Sequence, residues 1–82
     1  MDRHTIFDMV VKNVAEVVPD LAGHDFQLTD SLVELGVDSV ERSEIVIMTL
    51  ENMNLNIPAV QVFGPKNLGE LADLLHAKAL AL

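Results

Sequence analysis

Cysteine is absent from this sequence, which excludes a disulfide framework, a thiolate zinc site and a cysteine nucleophile. Tryptophan and tyrosine are absent too, leaving Phe7, Phe26 and Phe63 as the only large aromatic side chains. A core with so few rings is built from aliphatic residues and methionines, which points to packed helices. Basic residues are scarce: five Lys and Arg stand against thirteen Asp and Glu, for a net charge of −8. Such a surface repels phosphates, so nucleic acids and anionic membranes are poor partners, and a partner with a basic patch is favoured. No apolar run approaches the roughly 20 residues of a membrane span. The start, Met1-Asp2-Arg3-His4, offers no signal-peptide apolar region, so the chain is expected to be cytoplasmic.

What is present is a chain of 82 residues, half of them apolar. That is enough for a core and fits one domain over residues 1–82. Ile6, Val10, Val14 and Val17 recur at helical spacing and predict a first helix from about Thr5 to Val18. Thr5 and Asp8 have the spacing of a capping box, and Pro19 ends the helix. Residues 19–37 form a long connection with turn formers (Gly23, Asp25, Asp30, Ser31, Gly36) and isolated apolar anchors. Connections this long in a small domain are commonly functional. One helical turn is expected after Thr29-Asp30-Ser31, ended by Gly36. Asp38, with Glu41 three residues on, caps a second helix over about Ser39–Met53. Val40, Ser43, Ile47 and Leu50 are expected along its buried stripe, flanked by Val46 and Met53. A short turn is expected over Ala59–Phe63, stopped by Gly64-Pro65. Asn67, with Glu70 at the box position, starts a last helix that buries Leu68, Leu71, Leu75 and Ala79. The expected architecture is all-α: three main helices, one short helix and a long first crossover.

Few residues carry chemistry. His4, His24 and His76 are scattered, with no pair at ligand spacing, so no metal site is expected. Six of the thirteen acids lie between positions 30 and 51, with only Arg42 opposing them. Glu41 and Glu44 share a helix face. A catalytic carboxylate pair needs a desolvated pocket, and these acids read either as a solvated face or as a docking face for basic partners. Ser39 follows the turn Leu35-Gly36-Val37-Asp38, which delivers it to a helix start. A serine there is ordinary capping chemistry. No His or Lys is placed by sequence to activate it as a nucleophile, and no catalytic residue is expected anywhere in the chain. Yet free amides and the positive end of a helix dipole suit an attached phosphate.

Leu35-Gly36-Val37-Asp38-Ser39-Val40 resembles the L-G-x-D-S-L signature of acyl carrier proteins. Asp30-Ser31-Leu32 and Ile57-Pro58 fall where that family has its Asp-Ser-Leu step and Ile-Pro pair, so the resemblance covers essentially the whole chain. It implies that Ser39 receives 4′-phosphopantetheine from coenzyme A through a phosphopantetheinyl transferase, with Asp38 beside it. The thiol that the chain lacks then comes from the cofactor. Glu41 and Glu44 fall at the family's recognition positions.

Departures from the family pattern are informative. Val40 replaces the usual Leu, Arg42 adds a positive charge, and Thr49 stands where an apolar residue is common. Ala59-Val60-Gln61-Val62-Phe63 contains no acid. With Ser39-Val40-Glu41-Arg42-Ser43-Glu44-Ile45 and the stretch from Gly64 to Asp73, it resembles the discrete donor carriers of polyketide β-branching cassettes. That subgroup implies malonyl and acetyl cargo. It also implies an acyltransferase, a decarboxylating ketosynthase-like enzyme and an enzyme resembling hydroxymethylglutaryl-CoA synthase as partners of a monomer. Arg42, Val60, Val62 and Lys66 are then expected at the partner surface, and Phe63 in the core. The competing readings are an ordinary polyketide or fatty-acid elongation carrier, an unmodified helical interaction module, and a small hydrolase using Ser39.

Overall fold

The computed structural model of the chain describes residues 1–81. It contains α1 (Arg3–Val17), α2 (Ser39–Asn52) and α3 (Leu68–Leu80), with two short 3-10 turns, Pro19–Leu21 and Ala59–Val62, in the connections. No strand occurs among the described residues. α1 packs against both α2 and α3, and the second 3-10 turn lies against α2 and α3.

Each helix start is set by a local cap. Asp2, not Thr5, caps α1: its carboxylate accepts from the Thr5 amide at 2.8 Å. The helix therefore begins two residues before the spacing of the apolar positions predicts, and the Thr5–Asp8 box does not form. The Thr5 hydrogen bond holds the Asp2 carboxyl below its usual range. Asp38 accepts from the Glu41 amide at 2.8 Å while Glu41 accepts from the Asp38 amide at 3.1 Å, the expected reciprocal box at α2. Asn67 accepts from the Glu70 amide at 2.8 Å. The Glu70 carboxylate accepts from Lys66 and not from Asn67, so the box at α3 is only half made.

The core joins Ile6, Val10 and Val14 of α1 to Ile45, Val46 and Leu50 of α2 and Leu68, Leu71, Ala72 and Leu75 of α3. Val37, Leu55 and Val62 complete it from the connections. Burying each such side chain is worth about 1.5–3 kcal/mol. α2 is turned relative to the expected stripe. Its buried residues are Ile45, Val46, Thr49 and Leu50, whereas Val40 and Ile47 face solvent. The cause is polar. Asn13 of α1 is buried, and its side-chain amide donates to the Thr49 hydroxyl at 2.8 Å and to the Asn52 side-chain oxygen Oδ1 at 3.0 Å. The Thr49 hydroxyl in turn donates to the Ile45 carbonyl at 2.8 Å. With its partners supplied, Thr49 goes inside, and the helix rotates with it.

The long connection is fastened to α3. The Leu68 amide donates to the Asp30 carbonyl at 2.9 Å and the Gly69 amide to the Leu28 carbonyl at 2.7 Å. Two amides that a helix start leaves open are thus taken by the loop. Within the loop, the Asp30 carboxylate accepts from the Gln27 amide at 2.8 Å and meets His24 Nε2 at 2.9 Å. These two contacts, the Gln27 amide foremost, hold the Asp30 carboxyl below its usual range. The helical turn after Ser31 forms as expected: Leu35 donates to Ser31, Val37 to Leu32, and Gly36 closes the turn at φ +85°. That left-handed conformation is the one glycine adopts without steric cost. Val37 is then buried, and the chain enters α2 at Ser39.

Candidate functional site

Ser39 occupies the first position of α2 with its side chain exposed. Asp38 does the capping, so the hydroxyl of Ser39 is not engaged in it. Among the described residues nothing accepts from the amides of Ser39 and Val40. The two helix starts therefore differ: α3 has its amides filled by the loop, and α2 keeps two open around Ser39. Those amides and the helix dipole favour a negative group on the Ser39 oxygen.

Arg42 stands one turn along α2. Its Nη1 donates to the Val37 carbonyl at 2.6 Å, bracing the turn that delivers Ser39. This bracing role was not visible in the sequence. Ser43 donates to the Ser39 carbonyl at 2.9 Å. Beside Ser39 opens a cleft of about 700 Å³ between the loop, α2 and the start of α3. Its floor is apolar, with Val46, Val62, Leu68 and Leu71, and its rim carries Arg42, Lys66, Glu34 and several hydroxyls.

The structure sorts the remaining sequence candidates. Glu44 is exposed and Glu41 half-buried, on the same flank of α2. Lys66 is exposed on the cleft rim. Val60 is 70% exposed. Val62 is corrected: at 1% exposure it is a core residue and offers nothing to a partner. Phe63 is corrected in the opposite sense, being 48% exposed although its size argued for burial. The 3-10 geometry explains both, since three residues per turn place Val60 and Phe63 on one face and leave Val62 on the other. His4 pairs with Asp8 on α1 and His24 with Asp30, and neither of them nor His76 lines the cleft. No group of residues able to hold a metal occurs among the described residues.

The phosphopantetheine attachment site family matches residues 10–75, a span that includes Ser39 and the whole cleft. The chain belongs to this acyl carrier family. The polyketide biosynthesis acyl-carrier-protein AcpK of Bacillus subtilis (strain 168) is 50% identical over 78 residues, 95% of either chain. A second relative is a solved carrier chain, the acetyl donor acyl carrier protein in the crystal structure of the curacin biosynthetic pathway HMG synthase complex. It superposes with a TM-score of 0.91 at 43% identity, over 94% of this chain and 99% of that one. The fold of this carrier is the acyl carrier fold, and it takes 4′-phosphopantetheine as a covalent prosthetic group. Its residues fit the group. An exposed hydroxyl stands at a helix start with two open amides, a guanidinium lies one turn away, and a cleft with an apolar floor adjoins them. Carriers of this family are in general not catalysts, and no helix here is long and apolar enough to cross a membrane among the described residues.

Proposed function

We propose that Ser39 is the attachment point of 4′-phosphopantetheine and that this chain is a non-catalytic, cytoplasmic donor carrier for polyketide β-branching. In that role it presents an acetyl group, made by decarboxylation of malonyl, to an enzyme resembling hydroxymethylglutaryl-CoA synthase. The observation that carries the attachment is the division of labour at α2: Asp38 holds the helix start, and the Ser39 hydroxyl is left exposed beside open amides.

Each residue has a task in this reading. Ser39 Oγ takes the phosphopantetheinyl group of coenzyme A as a phosphodiester; its proton leaves with a base of the transferase, and the adenosine bisphosphate departs. The arm, once bound, supplies the thiol that the chain does not have. Asp38 and Gly36 fix where Ser39 points, and Arg42 ties α2 to the turn behind it. Glu41 and Glu44 give the acidic flank that a basic enzyme surface reads.

Val40, Val60 and Phe63 are exposed apolar residues close in sequence to Ser39 or to the cleft. An apolar anchor inside a charged rim is the usual anatomy of a specific interface, and Val60 with Phe63 supplies it for the synthase-like partner. The likeness to an acetyl donor carrier solved with an HMG synthase supports this assignment.

The test is intact mass after reaction with coenzyme A and a phosphopantetheinyl transferase, followed by acetyl transfer to the synthase-like enzyme. Wild type gains one arm and donates acetyl. Ser39→Ala gains none, and any gain in that variant removes the assignment. Val60→Glu is expected to load normally and donate poorly, by roughly 1–2 kcal/mol, part of what fully burying a valine is worth. Undiminished donation by both Val60→Glu and Phe63→Glu would move the donor surface elsewhere.

A further inference from the structure

The cleft beside Ser39 is cationic in a protein that is otherwise strongly acidic. Two of the five Lys and Arg side chains, Arg42 and Lys66, lie on its rim, and Glu34 is the only acid there. Thr29, Ser31, Ser43 and Asn67 add polar groups around the same opening. Arg3 is used in the fold against Asp73, and Lys12 and Lys78 lie away from the cleft. Lys66 is set apart by its place: it is exposed on the rim, its amide donates to Glu70, and its ammonium has no partner among the described residues. Arg42 gives only Nη1 to Val37.

These groups are more than a neutral acyl chain requires. An apolar floor alone would shelter a hydrocarbon, and the phosphodiester at Ser39 needs only the open amides and the nearby guanidinium. Lys66 sits across the cleft, on the segment that leads into α3. A volume of about 700 Å³ lies within the range of sites that hold an organic ligand.

Resting on the reading of Ser39 given above, we infer that the cleft distinguishes acyl groups with a free carboxylate from neutral ones. Lys66, backed by Arg42 and the rim hydroxyls, draws the carboxylate of a short dicarboxylic acyl group into the cleft. When that carboxylate leaves as carbon dioxide, the charge that Lys66 holds is gone, and a neutral acyl group has nothing on the rim to keep it. The carrier would thus withhold the diacid form and present the decarboxylated one. No bond is made or broken by Lys66; it binds charge.

The test uses the whole chain loaded at Ser39 from amide-linked analogues of malonyl- and acetyl-coenzyme A, which neither hydrolyse nor decarboxylate. Amide resonances of Thr29, Ser43, Asn67 and Leu68 are compared between the two forms by nitrogen–proton correlation spectra. The expected result is a set of shifts in the malonyl form that is absent in the acetyl form, diminished at raised ionic strength and lost in Lys66→Gln. Identical spectra for the two forms overturn the inference, as does a malonyl pattern that survives in Lys66→Gln. Intact mass separates the two possible failures. A chain that gains no arm removes the reading of Ser39 and this inference with it. A chain that gains the arm and shows no difference removes the inference alone.

Discussion

The amide of Gly69 donates to the carbonyl of Leu28 at 2.7 Å, binding the second residue of α3 to the long connection between α1 and α2. At position 69 a side chain would crowd this approach. A Cβ placed there would lie 3.0 Å from the Leu28 oxygen and 3.2 Å from the Leu28 Cβ and an Arg3 nitrogen. The loop that walls one side of the cleft is therefore held by a contact between two backbones.

Gly69→Ala sets two effects against each other. Alanine favours a helix interior over glycine by about 1 kcal/mol. Forcing a methyl group against a backbone oxygen costs about 1–3 kcal/mol, as other overpacked sites do. The oxygen cannot swing aside as a flexible side chain would, so net destabilisation is expected in urea unfolding, together with faster hydrogen exchange at Leu68. A variant as stable as wild type would mean that the loop shifts freely.

Thr49→Val removes an acceptor from Asn13 and leaves a buried amide hydrogen short of a partner. The expected loss is about 1–3 kcal/mol, although valine matches threonine in shape. Asn13→Ala alone leaves the Thr49 hydroxyl bonded to Ile45. A double-mutant cycle between the two positions is expected to show coupling. Strict additivity would show that the pair acts as two separate residues.

Glu41 and Glu44 separate docking from stability. Glu44→Lys changes an exposed charge that takes part in no cap, and its stability change is expected within about 0.5 kcal/mol. Glu41→Lys breaks the capping box and sets a cation at a helix start, at a cost of about 1 kcal/mol. An exposed charge ordinarily contributes little to stability; the box makes Glu41 an exception. Both reversals are expected to slow loading by the transferase. Normal loading in Glu44→Lys would assign that acid no part in recognition.

Acid acts on the cap of α1 through Asp2 and on the long connection through Asp30. Both carboxyls titrate below the usual 3.8 in the folded chain. Their contribution is therefore complete above that pH and is lost as pH falls through the lower folded values. Asn can still accept from Thr5 or Gln27. Asp2→Asn and Asp30→Asn are thus expected to lose less melting temperature than wild type between pH 6 and pH 2.5, by calorimetry. Parallel losses in all three proteins would remove these two carboxylates as the acid-sensitive groups.

Much of this arrangement is written in short-range chemistry. Asp38 with Glu41, the turn from Ser31 to Gly36, and Asn67 before α3 all act within a few residues, and their outcomes were legible. The position of Ser39 at the start of α2 was legible for the same reason. The phase of α2 was not. The expected apolar stripe left Thr49 out, although the family resemblance has an apolar residue there, and its bonds to Asn13 and Ile45 satisfy the hydroxyl inside. Phe63 and Val62 exchanged places because size argues for burial, whereas the period of a 3-10 turn decides which side faces in. The bond from Arg42 to Val37 and the loop caps on α3 join residues whose proximity no local pattern encodes.

The start of α2 is fastened by Asp38, Glu41 and Arg42 and not by the Ser39 hydroxyl, so that fastening is indifferent to what hangs from Ser39. Apo, thiol-bearing and acylated chains can share one architecture and one unfolding transition. A catalytic partner then meets the same helix start at every stage of the cycle. What it must tell apart is the cargo, not the shape of the vehicle.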